Sequence, residues 1–456
     1  MTSPSPSPAL ARRLGLGDAV IIGLGSMMGA GIFSAFAPAA AAAGAGLLIG
    51  LVIAGVIAVC NALSSAQLAA QYPTSGGTYI YGRERLGEWP GFVAGWSFVI
   101  GKTASCAAMA LTVAAYAAPA GWEKPVAVVA VIALATVNSF GITRTAGLTR
   151  VIVVVVLLVL AFVVVVGATK IASTGTGLAG TGLASTGLAN LAGPDAGSWY
   201  GILQSGGLLF FAFAGYARIA TMGEEVKNPA RTIPRAIIIA LSITLAVYAV
   251  VAVIVLAVLG PEQLASSAAP LVDVITGASG SGGAGVSGGA DSAASAGAVI
   301  VRIGAAAAAL GALLALIAGV GRTTLAMARN RDLPSWLAAV HPVRQVPIHA
   351  EVALAVVVVI LVLTTDLRGA IGFSSFGVLL YYLVANAAAI TQPRGTRRYP
   401  QAVQVVGGLG CLVLVATLPL ASIAVGVGVL AVGVVYRLIT LRFTPADGDV
   451  TRAAKR

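Results

Sequence analysis

The chain has 456 residues, 58% hydrophobic and 9% charged, where soluble domains carry roughly a quarter charged residues. That composition excludes a water-soluble globule, and the repeated apolar runs near 20 residues match the thickness of a bilayer core. Val151 to Ala168 is apolar without alternation, which excludes a β-barrel and leaves an all-α polytopic membrane protein.

In chain order, a Ser/Pro-rich tail (1–13) precedes the first apolar run, which is too long and lacks the cleavage site of a signal peptide. Twelve apolar segments follow, at about 18–40, 45–70, 91–118, 125–142, 147–169, 199–222, 236–260, 298–328, 348–365, 370–391, 401–419 and 421–441. The organisation expected is a first unit over 14–170, an external low-complexity loop over 171–198 and a second unit over 199–392 carrying an external Gly/Ser loop (277–297). Two further helices (393–442) and a tail (443–456) complete it.

The net charge of +12 lies between apolar runs rather than in one basic domain, so it reads as topology and not as a nucleic-acid surface. With the N-terminus cytoplasmic, the inner segments hold 21 Lys and Arg and the outer ones 4, which puts both termini on the cytoplasmic side of the plasma membrane. Cys60, Cys106 and Cys411 sit inside apolar segments without a CxxC, so they read as small core residues, with no disulfide framework and no metal site. Between the second and third spans, Tyr72, Tyr79, Tyr81, Leu86 and Trp89 alternate with Arg and Glu, the pattern of a short amphipathic segment at the inner interface.

Two spans are built to break. The first carries Gly23, Gly25, Gly29 and Gly31 within nine residues near its middle, and the sixth carries Gly206, Gly207 and then Gly215 after Phe213 and Ala214. Such glycines serve either discontinuous helices that bind a polar solute or close helix packing. Parity favours the former: after five spans the chain re-enters from the opposite side, so spans 1–5 and 6–10 read as inverted repeats with matching interruptions in their first helices.

The first span, Gly15-Leu16-Gly17-Asp18-Ala19-Val20 through Gly29-Ala30-Gly31-Ile32-Phe33, resembles the opening of the amino acid-polyamine-organocation (APC) superfamily of permeases. Three more stretches resemble it in the same order: Tyr72-Pro73-Thr74-Ser75-Gly76-Gly77-Thr78-Tyr79, Glu224-Glu225-Val226-Lys227-Asn228-Pro229 with Pro234-Arg235, and Ala326-Met327-Ala328-Arg329-Asn330-Arg331-Asp332-Leu333-Pro334. The resemblance implies a LeuT-type fold of 5+5 inverted repeats plus two C-terminal helices, moving amino acids or related amines by alternating access.

An opened helix offers N–H groups on one side of the break and carbonyls on the other, a pattern that suits a zwitterion. The substrate carboxylate is assigned to backbone N–H groups around Gly29, Ala30 and Gly31, and the ammonium to carbonyls near Ser26 and Phe213. Met27, Met28, Phe213, Tyr216 and Tyr116 are candidate side-chain walls, beside Ala214 and Gly215 of the second break. Amine-selecting relatives place an acid two positions after the helix 6 glycine. Ala217 stands there, which disfavours cationic substrates.

Lys102, a dozen residues into the third span, is a costly charge at mid-membrane and a candidate proton-coupling group. Arg218, just past the second break, is a candidate gating or locking residue paired with a carbonyl cluster, Glu224 or Glu225. Sodium-driven relatives bind the ion partly through helix 8 hydroxyls, and 304–321 has no Ser or Thr; proton-linked relatives carry a helix 5 lysine that 151–166 lacks. His341 and His349 flank an inner loop and form no catalytic constellation. The expectation is a secondary permease for neutral amino acids, with bilayer lipid and protons as partners and with no cofactor, no nucleic acid and no enzymatic activity. A site for acidic amino acids, an exchanger, and a channel or sensor on the same fold stay open.

Overall fold

The computed structural model describes residues 14–73, 76–140, 145–173, 191, 198–223, 225–277, 290–342, 344 and 346–443. The two low-complexity loops expected at 171–198 and 277–297, both tails, and Glu224 lie wholly or largely outside these residues. Among the described residues β structure is limited to an isolated bridge between Leu14 and Val226, closed by Leu14 N to Glu225 O at 3.1 Å and Lys227 N to Leu14 O at 2.9 Å.

The first predicted span is three helices in line, α1 (Leu16–Met27), α2 (Ala30–Ser34) and α3 (Phe36–Ala43). There follow α4 (Leu47–Gln71), α5 (Thr78–Leu86), α6 (Glu88–Ala117), α7 (Glu123–Ser139) and α8 (Thr145–Ser173). The sixth segment is α9 (Trp199–Phe213), a 3-10 turn (Ala214–Tyr216) and α10 (Ala217–Ala220). The remainder is α11 (Pro229–Ser266), α12 (Pro270–Thr276), α13 (Ala290–Arg329), α14 (Ile348–Thr364), α15 (Leu367–Ile390), α16 (Gln401–Thr417) and α17 (Leu420–Phe443). Among the described residues nine helices are long and apolar enough to cross a membrane, and α14 and α16 are shorter apolar ones.

Helices from the first, second, sixth and seventh segments pack on one another: α1 on α11, and α4 on both α9 and α11. Those of the third, fourth, eighth and ninth, α6, α7, α13 and α14, form a second group of mutual contacts. α6 packs most extensively on α15 and α13, and α15 packs in turn on α4 and α9 of the first group. Small residues permit this closeness in a medium where burial alone gives helices no reason to associate. A Cβ at Gly377 of α15 would lie 2.6 Å from the Ser97 carbonyl and 2.7 Å from the Gly101 Cα of α6.

Polar side chains add specificity inside this apolar packing. Asn386 Nδ2 donates to Asn61 Oδ1 at 2.6 Å, Ser64 Oγ donates to Asn386 Oδ1 at 2.6 Å, and Asn61 Nδ2 donates to Cys411 Sγ at 3.3 Å. The three links join α4, α15 and α16. All three cysteines are buried and free, and Cys411 is more than a small filler because it accepts a hydrogen bond.

The stretch expected at the inner membrane surface sets two of its aromatic residues into the protein, while Trp89 stays 39% exposed. Tyr79 and Tyr81 of α5 are fully buried; the Tyr79 hydroxyl donates to Asp332 at 2.7 Å and the Tyr81 hydroxyl to the Ala220 carbonyl at 3.4 Å. Protein acceptors, not headgroups, take the polar tips. Burial, and then the Asp332 carboxylate, push the Tyr79 hydroxyl above its ordinary pKa, so it remains a donor. Asp332 also pairs with Arg83 at 2.8 Å and with Arg437 of α17, whose guanidinium lies 5.0 Å from the Trp89 ring centre and 4.8 Å from that of Phe92. Asp332 and Arg437 are each 4% exposed. Asp332→Ala removes the buried partner of Arg437 and leaves its guanidinium the exposed Glu88 carboxylate at 3.3 Å, and is expected to cost up to about 3 kcal/mol. A lowered melting temperature in detergent is the readout, and an unchanged one would show that the cluster adds no net stability.

Candidate functional site

The break in the first span lies between Met28 and Gly29. The Met28 amide closes the last turn of α1 onto the Leu24 carbonyl at 2.7 Å, and Gly29 then leaves helical geometry with ψ −132°. The Ala30 N–H, which begins α2, donates to the Met109 sulfur of α6 at 3.4 Å. The sixth segment tightens rather than opens: Ala214–Tyr216 forms a 3-10 turn between α9 and α10. The Ala214 carbonyl accepts from Lys102 Nζ at 3.1 Å and from the Tyr382 hydroxyl at 3.4 Å.

The two breaks touch. A Cβ at Gly215 would lie 2.3 Å from the Ser26 carbonyl oxygen and 2.6 Å from the Met27 nitrogen. Tyr248 of α11 stands across them, its hydroxyl 2.6 Å from the Met27 carbonyl and 3.1 Å from that of Ala212.

A cavity of about 350 Å³ reaches this junction, within the range of small-molecule sites. Ser26, Ala214, Gly215 and Ala217 supply wall from the breaks, and Lys102 and Phe98 supply it from α6. α13 forms the opposite wall with Ala312, Leu316 and Gly319, and exposed Arg322 and Arg329 stand toward the mouth. No carboxylate lines the cavity among the described residues. At the other end of the molecule the Tyr116 hydroxyl donates to the Phe33 carbonyl at 2.8 Å, and Arg302 donates to the Tyr116 carbonyl at 3.1 Å.

A family model described as amino acid permease matches residues 14–450. The chain belongs to the amino acid permease family. An uncharacterized transporter of Mycobacterium tuberculosis is 58% identical over 449 residues, covering 97% of this chain and 96% of that protein. The cationic amino acid transporter 7, chloroplastic, of Arabidopsis thaliana is 27% identical, covering 81% and 64%. The branched-chain amino acid permease BcaP of Bacillus subtilis is 26% identical, covering 59% and 60%. The permease is accordingly a multi-pass membrane transporter of amino acids, in a family of carriers and not of enzymes.

Of the residues singled out from the sequence, Ser26, Lys102, Ala214, Gly215, Ala217 and Arg218 line the cavity of the permease. Met27 and Met28 are buried behind that wall; Phe213 packs on Tyr248 with ring centres 5.1 Å apart, and Tyr216 stacks on Tyr382 at 4.9 Å. Gly29, Ala30 and Gly31 are spent on contacts: a Cβ at Gly29 would lie 2.5 Å from the Ala312 Cβ, and one at Gly31 would lie 2.6 Å from the Ala212 Cα. Arg218 reaches Thr221 Oγ1 at 3.5 Å, whereas Glu225 pairs with Arg322 at 3.2 Å. Glu225 is therefore spoken for by a cation one helix away. The α13 wall was missed from the sequence, although Ala312, Ala315, Gly319, Arg322, Ala326 and Arg329 recur at the three- and four-residue spacing of one helical stripe.

Proposed function

We propose that this permease carries neutral amino acids across the plasma membrane by alternating access, with Lys102 handling a coupled proton. The observation that carries the substrate reading is the cavity at the two breaks: it joins backbone carbonyls to Lys102, Arg218, Arg322 and Arg329 without a carboxylate. A cationic side chain there meets like charge and no counter-charge. The branched-chain name of the Bacillus relative agrees with this reading; the cationic names of the Arabidopsis relatives do not, and Ala217 is the local reason to set them aside.

The same four cations favour a second reading, an acidic amino acid as substrate. Arg322 is already paired with Glu225, which weakens it. The zwitterion carboxylate is assigned to backbone N–H groups around Gly29, Ala30 and Gly31 and the ammonium to carbonyls near Ser26 and Phe213. In this reading the α2 amide releases the Met109 sulfur as substrate enters, because a carboxylate is the stronger acceptor.

We further infer twelve spans in a LeuT-type arrangement, residues 14–170 and 199–392 forming inverted repeats with helices 393–442 added, and with both termini cytoplasmic. Two observations support it: the separate groupings of segments 1, 2, 6, 7 and 3, 4, 8, 9, and the bias of Lys and Arg to one side. The mouth at Arg322 and Arg329 then faces the cytoplasm, and the Tyr116 and Arg302 bonds close the outside.

Uptake by purified protein in liposomes, with labelled amino acids competed by unlabelled ones, tests the reading. Neutral amino acids are expected to compete better than arginine or lysine, and Ala217→Glu is expected to narrow that gap. Glutamate or aspartate as the best competitor would establish the second reading, and preference for arginine would overturn both.

A further inference from the structure

A second cavity, of about 340 Å³, lies on the far side of the two helices that wall the first. The relation is one of helical register. On α6, Phe98 and Lys102 face the amino acid cavity while Val99 and Thr103 line the second; on α13, Gly319 and Thr323 face the first while Thr324 lines the second and Val320 borders both. One helix thickness separates them.

The second cavity differs in chemistry. No charged side chain lines it among the described residues, and Thr103 spends its hydroxyl on the Val99 carbonyl of its own helix at 2.6 Å. Trp96 likewise donates its indole N–H to the Val429 carbonyl of α17 at 3.0 Å. Thr324 supplies the remaining hydroxyl, and the lining is otherwise apolar.

Its shape and position name the occupant. Along α14 the lining runs from Ala350 to Leu361, eleven residue steps or about 16 Å, close to the depth of one leaflet's hydrocarbon, about 15 Å. Its rim carries Val357 and Val425, which are 47% and 54% exposed and continue into the apolar outer faces of α14 and α17, including Val356 and Val432. Leu333 and Leu337 close the inner end, where neighbouring Trp336 is 56% exposed, and tryptophan favours headgroup level.

We infer that this cleft binds the acyl chain of an inner-leaflet phospholipid, and that the chain supports the α6 and α13 walls of the amino acid cavity from behind. The inference uses the membrane embedding of the permease but not its substrate. A lipid tail wedged against Val99 and Val320 resists movement of the same turns that carry Lys102 and Gly319, so transport depends on what fills the cleft.

The test is photolabelling of the full-length protein in liposomes doped with a phosphatidylcholine whose acyl chain carries a diazirine, with labelled residues mapped by peptide mass spectrometry. Labelling is expected to concentrate on Val357, Leu361, Val425 and Val429, above the level at Val154 and Leu158 of α8, which are 51% and 66% exposed and serve as ordinary lipid-facing controls. Ala353→Trp and Val425→Trp, which fill the cleft, are expected to bring that labelling down to the control level and to change the uptake rate. Melting in detergent verifies that each variant folds, and two positions are used so that one misfolded variant does not decide the matter. Labelling in the cleft no greater than at Val154, or persisting in both filled variants, overturns the site. Unchanged uptake in folded, filled variants overturns the supporting role.

Discussion

Gly215→Ala is expected to remove at least about 99% of uptake in liposomes, since displacement of about 1 Å at a site can cost 100-fold. The added Cβ would stand 2.3 Å from the Ser26 carbonyl and 2.6 Å from the Met27 nitrogen, both backbone atoms that cannot rotate aside. The two breaks must part by about 1 Å to restore ordinary contact, and overpacking of this kind costs about 1–3 kcal/mol in addition. Gly428→Ala on α17, where an added Cβ meets nothing within 4 Å, is the matched control and is expected to transport normally. Because Gly29 and Gly31 make equally close approaches, enlarging either tests packing together with binding; Gly215 is preferable because its contact is between the two breaks themselves. Normal uptake by Gly215→Ala would mean that the junction need not be closed for transport.

Lys102→Met is expected to bring the accumulation ratio under an inward proton gradient down to unity while counterflow exchange persists. Lys102 lines the cavity and donates to the Ala214 carbonyl at 3.1 Å, so its charge state is tied to the geometry of the second break. A lysine that gives up its proton keeps a neutral amine, a weaker donor that can also accept, so the Ala214 carbonyl exchanges a charged donor for a neutral one beside the Tyr382 hydroxyl at 3.4 Å. Methionine has no proton to cycle. The sign is testable with external pH alone: uptake by the unmodified protein rises as external pH falls, and uptake by Lys102→Met is flat. A variant that still concentrates substrate would assign Lys102 to holding the turn together.

The helices themselves were legible in the sequence, because every predicted apolar segment overlaps a helix and glycine density marked both interruptions where they occur. Glycine could not say what the interruptions are for. At Gly29 and Gly31 the missing side chain admits Ala312 and Ala212, a property of helices far apart in the chain, and periodicity carries no record of it. The same limit hid the Met109 sulfur that takes the Ala30 amide and the charges gathered on Asp332 from α5 and α17. Aromatic residues interleaved with arginine looked like a surface helix because composition records amphipathicity but not which phase, lipid or protein, receives the apolar side. The α13 arginines were read only as topology signals, and their stripe toward the cavity needed the opposing helices to give it meaning.

The Tyr248 hydroxyl has one hydrogen and two carbonyls within reach, Met27 at 2.6 Å and Ala212 at 3.1 Å. It can serve both only while the first and sixth segments stay side by side. Once they separate, the proton must choose, and the abandoned carbonyl is left in an apolar interior at a cost of about 1–3 kcal/mol until another donor arrives. Intermediate separations are therefore the least comfortable ones. Were the proposed cycle to draw these segments apart, a shared hydroxyl of this kind would turn a gradual slide into a toggle with two resting positions and would add to the barrier between them.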